Sequence, residues 1–398
     1  MSEEISRGGE ARTGRAGVYR MQPQGYRAFI PNPLPPTPPV RTEGRLQGLL
    51  SLADSALGRL AGSIETLPNP DLFVFMYVRK EAVLSSQIEG TQSSLQDLLS
   101  AEARMFDQSQ PRDVDEVLNY VTAMNHGLAR LDSLPLSIRL IREIHEKLLT
   151  GVRGANLTPG ELRTSQNWIG PSGSTLREAM FVPPPPSEVP EALGALEQFL
   201  HADDGLPLLI RIGLAHAQFE TIHPFLDGNG RIGRLLITFL LCEKRILPKP
   251  VLYLSHYLKR HRQSYYEHLQ AVRDTGAFEA WLEFFLTGVA EVSTEAAFTA
   301  RRILLMRESH REMITRRLGR ATANALRVLE HLFAHPIVSV NDIKEVTGTT
   351  FPAANQLMER LAEIGTIAEF TGNARNRRFR FAPYIDLFTD EVRAPVAA

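Results

Sequence analysis

Cysteine is almost missing from this sequence. Of 398 residues only Cys242 carries a thiol, which excludes an intramolecular disulfide and suits a reducing compartment. It lies in the apolar run LLITFLLCEK, where a buried, inert thiol is expected. Long apolar runs are missing too: no stretch reaches the roughly 18 uninterrupted apolar residues that a membrane helix needs, so no membrane partner and a cytoplasmic location are expected. An excess of one charge is also lacking, since 44 Lys+Arg face 45 Asp+Glu; wholesale coating of nucleic acid is excluded and any charge argument must be local. The opening MSEEISRGGEARTGRAGVYR has no apolar centre of a signal peptide and carries glutamates that a transit peptide avoids, leaving a flexible tail as the expectation.

What is present is enough for a sizeable core and two or three domains, with 43% hydrophobic residues. Clustered prolines in FIPNPLPPTPPV favour an extended strap, so residues 1–41 are read as tail and strap. Residues 42–317 read as mainly α-helical, because apolar residues recur at spacings of three and four between Gly, Pro and Ser punctuation. In SIRLIREIHEKLLTG, Ser137 can cap, Leu140, Ile141, Ile144 and Leu148 share a face, and Gly151 can close the end. His145 within it is expected to be a partly exposed structural residue. The exception is RTSQNWIGPSGSTLREAMFVPPPP, residues 163–186, where short β-prone runs about a Gly/Pro/Ser turn predict a hairpin, and the four prolines bar a helix afterwards. PLLIRIGLAHAQFETI and GRIGRLLITFLLCEK are apolar almost all round, as central helices are. After a long charge-laced helix over 278–318, residues 318–398 read as helix, helix-turn-helix and wing: a small winged-helix domain, with TFPAANQLMERLAEIG as recognition helix and Thr350 its cap.

Between the two apolar helices lies HPFLDGNGRIGR, whose GNGRIG matches the dinucleotide fingerprint letter for letter. That fingerprint needs a strand before its first glycine and an acidic residue about 20 positions on, after a helix; helical runs on both sides exclude it, and G-x-x-x-x-G-K-[ST] is absent. The better physical reading is an anion nest. Gly228, Asn229 and Gly230 sit at the start of a helix, where glycines allow close backbone approach and N–H groups lack intrahelical partners. Arg231 and Arg234 on one face of the first turns offer planar donors to further phosphate oxygens. Asp227 supplies one hard oxygen ligand, the way Mg²⁺ is usually held beside phosphates, and His223 can take a proton from a hydroxyl near neutral pH. Together they make a site for breaking a nucleotide phosphate bond.

HPFLDGNGRIGR also resembles the Fic family motif, H-P-F-x-[DE]-G-N-G-R-x-x-R, at every specified position. The resemblance implies an α-helical enzyme with a β-hairpin flap that transfers AMP from ATP to a Ser, Thr or Tyr hydroxyl of a target protein or of itself. It implies His223 as the base, Asp227 as the Mg²⁺ ligand, Gly228, Asn229 and Gly230 on the α- and β-phosphates, Arg231 on the β-phosphate and Arg234 on the γ-phosphate. The 163–186 hairpin resembles the flap that pins the target as an added edge strand. Tyr266 falls where the family places an adenine-facing aromatic, while a tyrosine at helical spacing is equally a core residue. In SSQIEG, Ser85, Glu89 and Gly90 resemble the family's inhibitory signature, which implies that Glu89 pairs with Arg234 and holds ATP in a non-productive pose.

Other readings stay open. A Fic enzyme can remove AMP, with Glu89 aiding water, or use another nucleotide donor. The winged helix, with Arg375, Arg377, Arg378 and Arg380 around Phe379, can contact DNA phosphates, making the chain a DNA-binding regulator that senses a nucleotide, or it can serve as a docking or homodimer module.

Overall fold

The computed structural model describes residues 14–65, 70–103, 113–171, 173–373 and 375–389, with nothing said of the side chains at 71–73. The chain divides into two compact units, one of residues 1–51, 126–240 and 261–287, the other of 52–125, 241–260 and 288–398.

In the first unit the buried centre is the helix Leu208–Ile222, of which every residue from Leu209 to Ile222 is buried. Its all-round apolar sequence demands that environment. Trp281 locks it by donating its indole N–H to Gly213 O at 2.8 Å. The helix Asn229–Glu243 follows after a short loop. The helix Ile138–Leu149 is capped by Ser137, whose side chain accepts from Leu140 N, and Leu140, Ile141, Ile144 and Leu148 are buried as their spacing predicts. His145 departs from expectation: it is 0% exposed, because the loop it meets folds over that helix. The helix Val189–His201 begins directly after a short 3-10 turn, Pro186–Glu188. The preceding prolines thus do not bar a helix, since Pro at its first positions forfeits no intrahelical hydrogen bond.

The expected tail is partly structured. Residues 1–13 lie outside the described residues, but Gly17–Met21 pairs antiparallel with Arg27–Pro31, and Phe29 N donates to Val182 O at 2.9 Å. Arg15 bonds Pro38 O at 2.6 Å and pairs with Glu279 at 2.8 Å, fastening the proline strap. The 163–186 segment does turn back on itself, but among its described residues the pairing is a single bridge, Ile169 to Phe181.

In the second unit the helix Pro70–Ile88 is anchored by Glu81, buried and accepting from Ser255 N at 3.1 Å and from the Tyr120 hydroxyl at 3.3 Å. A carboxylate so placed needs such donors to offset its desolvation. The carboxy-terminal part runs helix Thr322–Ala334, strand Ile337–Ser339, helices Val340–Thr347 and Phe351–Glu363, strands Ala368–Glu369 and Arg378–Arg380, helix Ala382–Thr389. The strand Arg378–Arg380 lies between the other two, antiparallel to both. The first strand and the last helix add to the predicted sequence of elements. Thr350 stands at the cap position of the helix Phe351–Glu363 but its side chain makes no capping bond.

Candidate active site

The loop between Leu208–Ile222 and Asn229–Glu243 is flanked by helices on both sides, which removes the dinucleotide fold and leaves the nest. The first helix ends in His223, left-handed at φ 48° and ψ 61°, with its N–H bonded to Phe219 O. A left-handed residue with a β-carbon costs about 1–2 kcal/mol. Asn229 closes the loop from the other side: its Oδ1 accepts from Phe225 N and its Nδ2 donates to Phe225 O, both at 2.8 Å. Its side chain is therefore committed to the loop, and what it and Gly230 can offer an anion is backbone N–H at a helix start.

Gly228 has φ +76°, and a β-carbon on it would lie 3.4 Å from His145 Nε2. His145 supports the loop from below. Its Nδ1 accepts from Gly160 N at 2.8 Å, so the network assigns the proton to Nε2, which donates to Asp227 O at 3.0 Å. Its ring stacks on Phe225 with centroids 3.7 Å apart. Burial holds it down at a pKa of about 4, keeping the imidazole neutral and this tautomer in place. His216, buried in the helix Leu208–Ile222 and likewise lowered by burial to about 4, bonds Gly233 O at 2.9 Å and the Tyr265 hydroxyl at 2.8 Å. One histidine thus fixes the loop and another the helix that follows it.

His223 Nδ1 lies 4.0 Å from Glu220 Oε2, and the His223 side chain is 18% exposed, open enough to meet a substrate. Asp227 accepts from Gly228 N at 2.6 Å and stands 3.7 Å from Arg231 Nη2. Gly154, at φ +86°, stands beside this carboxylate; a β-carbon there would come within 2.8 Å of its Oδ2, so a larger residue would strain this backbone and displace the carboxylate. Arg231 and Arg234 are 1% and 3% exposed, which makes them interior cations at the positive end of a helix, an arrangement that calls for negative charge. Tyr266 is not a core residue: it is 42% exposed, with Arg262 5.6 Å over its ring, while its neighbour Tyr265 is buried on His216. Glu89 follows the helix Pro70–Ile88 in the second unit, half-buried, before Gly90 at φ +99°. Cys242 is a free thiol pushed up to about 12 by burial, unreactive at neutral pH.

Sequence reasoning missed the residues that hold the loop from outside it. Beside His145, Arg163 and Asn167 bond the carbonyls of the His223 turn. Arg273 donates to Glu220 O at 3.1 Å and lies 3.8 Å over the Phe181 ring. Burial lowers Arg163 and Arg273 to about 10, so both stay charged and face the negative end of the helix Leu208–Ile222, where cations are favoured. Only the β-prone run RTSQNWIG pointed near two of them.

No helix among the described residues is long and apolar enough to cross a membrane.

Residues 47–129 match the Fic/DOC family N-terminal region and residues 135–241 the Fic/DOC family itself. A probable protein adenylyltransferase of Aquifex aeolicus is 28% identical over 180 residues, 44% of this chain and 51% of the relative. The protein adenylyltransferase Fic of Drosophila yakuba is 28% identical over 244 residues, 58% of this chain and 44% of the relative. The chain thus spans about half the length of these curated relatives. A crystal structure of a Fic family protein from Desulfovibrio desulfuricans, 18% identical, superposes with a TM-score of 0.56 over 86% of this chain and 97% of that one, a likeness of fold. The mainly α-helical fold with its small β-hairpin matches the Fic helical bundle. Residues 47–129 and 135–241 thus carry the two Fic/DOC regions, and the chain is related to known Fic adenylyltransferases.

Proposed function

We propose that the chain transfers AMP from ATP to a Ser, Thr or Tyr hydroxyl of a protein, with His223 as general base. One observation carries the reading: a histidine at the end of one buried helix and a glycine-rich helix start with two interior arginines stand on a single pinned loop. With Nδ1 toward Glu220, His223 Nε2 is the nitrogen that receives the hydroxyl proton. The hydroxyl oxygen forms a bond to the α-phosphorus as the bond to pyrophosphate breaks, and the leaving group carries its charge into the donors of the loop. The backbone N–H groups of Asn229 and Gly230 orient the phosphates, and Arg231 and Arg234 neutralise the pyrophosphate. Tyr266, exposed on the helix Arg262–Thr275, lies against the adenine.

The residues fit magnesium that arrives with the nucleotide. Asp227 offers one carboxylate, 32% exposed, and no cluster of three or more His, Cys, Asp or Glu fit to cage a metal occurs among the described residues; Mg²⁺ held by one carboxylate and phosphate oxygens needs no more. Bound there, it neutralises charge building on the phosphates.

Glu89 is included as the inhibitory residue that the motif implies, acting by restraint of Arg234. The test uses the full chain and its Glu89→Gly form with Mg²⁺ and labelled ATP, GTP, CTP or UTP in separate reactions. Transfer of AMP that rises with Glu89→Gly is expected. Transfer from another nucleotide would reassign the donor, and an unchanged or lower signal would remove the restraint. A chain that only releases AMP from a modified protein would reverse the direction of the reaction.

A further inference from the structure

Four consecutive main-chain carbonyls, those of Ile222, His223, Pro224 and Phe225, are all met by two residues of the segment 163–167. Arg163 Nε donates to His223 O at 2.9 Å, its Nη2 to Ile222 O at 3.3 Å and to Pro184 O at 2.5 Å, and its backbone N–H to Pro224 O at 3.0 Å. Asn167 Nδ2 donates to His223 O at 3.3 Å and to Phe225 O at 2.8 Å. Arg163 is 2% exposed, and its Nη1 has no hydrogen-bond partner among the described residues. A cation withdrawn so far from water is costly unless several acceptors converge on it, and here two of the three carbonyls that meet the guanidinium belong to the turn that carries the imidazole. That turn is the left-handed one at His223, a conformation that persists only where its surroundings over-determine it.

We propose that Arg163, with Asn167 beside it, is a positioning residue for His223: by gathering the carbonyls on both sides of the left-handed turn, it sets the direction of the imidazole. The inference rests on His223 being the base of the proposed reaction, but it specifies something further, that the base is aimed from a segment 60 residues away in sequence. Arg163 also bonds Pro184 O, so the two limbs of the 163–186 turn and the catalytic turn share one guanidinium. A displacement of the hairpin is thereby passed to the base. Lysine keeps the charge, but its donors sit on one nitrogen and cannot reproduce the planar fork that reaches all three carbonyls.

The test introduces Arg163→Met, Arg163→Lys and Asn167→Ala into the full Glu89→Gly chain. Readouts are kcat and KM for ATP in AMP transfer, circular dichroism, and the His223 ring signals in NMR. Misaiming a base costs on the order of 100-fold in rate, so Arg163→Met is expected to lose about that in kcat, with KM for ATP changed by no more than about threefold. Arg163→Lys should recover part of the loss, Asn167→Ala should show a smaller one, and the His223 signals should shift or broaden in the same order. Should Arg163→Met fail to fold, Asn167→Ala decides by the same readouts. Folded variants that keep kcat within about twofold, or that lose it with His223 signals unmoved, overturn the proposal. Because the NMR signals are read without turnover, a parent chain that transfers nothing sinks the proposed reaction and leaves the aiming of His223 separately decided.

Discussion

Around the loop, Arg163 and Arg273 are 2% and 7% exposed; the Arg163 side chain donates to main-chain carbonyls, and Arg273 to Glu220 O and the side chains of Thr221 and Gln270. At the start of the strand Arg378–Arg380, Arg378 and the preceding Arg377 stay 22% and 30% exposed, and their partners are the side chains of Asp342, Asn355 and Glu359. The two uses of arginine differ in what removal does. Taking away an interior cation leaves several carbonyls without donors, whereas an exposed pair loses little that water cannot replace. The comparison also bears on the winged-helix reading. Asn355, one of the few side chains on Phe351–Glu363 able to read a base edge, is bonded by Arg377 and itself bonds Glu359, so the basic segment that this reading assigns to a wing is partly neutralised by Glu359 of that helix.

Removing the base should have the largest effect. His223→Ala is expected to lower AMP transfer by about 10²–10⁴-fold, the usual worth of a general base, with the thermal transition unchanged; equal activity would break the distinction between a loop built for chemistry and one built for stability. Next comes His145→Ala, which removes a stacked ring, the donor to Asp227 O and the acceptor of Gly160 N. A loss of roughly 3 kcal/mol in urea unfolding is expected. Acidification should follow the same side of the comparison. His145 and His216 are neutral in the fold with pKa near 4, below the value of about 6.5 for an unfolded histidine. The unfolded chain therefore binds more protons between those values, so stability is fully present above about pH 6.5 and falls as pH drops toward 4, by at most about 1.4 kcal/mol per unit for each histidine. Unfolding midpoints measured across that window check the sign. The smallest effect belongs to the wing: Arg377→Ala should change stability by less than about 1 kcal/mol, and the chain should shift duplex DNA weakly if at all. A tight shift that weakens steeply with salt would restore the DNA-binding reading.

The candidate site was legible where its proposed chemistry is contiguous. His223, Asp227, Gly228, Arg231 and Arg234 fall within twelve residues, and the apolar helices on either side fixed their context. The residues that support them lie far off in sequence: His145 is 82 positions from Asp227, and Arg163 60 from His223. Each looks like an ordinary surface-capable side chain until the loop folds over it. Tyr265 and Tyr266 show the same limit on a smaller scale, since helical spacing allows either to be inside and only His216 decides. Short strands were also hidden. Ile337–Ser339 has three residues, too few for an alternating pattern, and Gly17–Met21 gains its order from pairing with Arg27–Pro31 and from the bond between Phe29 and Val182.

The central claim is that the loop moves AMP onto a hydroxyl through His223. Its most direct test is mass spectrometry of the Glu89→Gly chain, and of proteins incubated with it, after exposure to ATP and Mg²⁺, beside the same chain carrying His223→Ala. An added AMP group on a Ser, Thr or Tyr side chain, present with the first protein and absent with the second, is the predicted result. No added group with either, or one that persists without the imidazole, would contradict it.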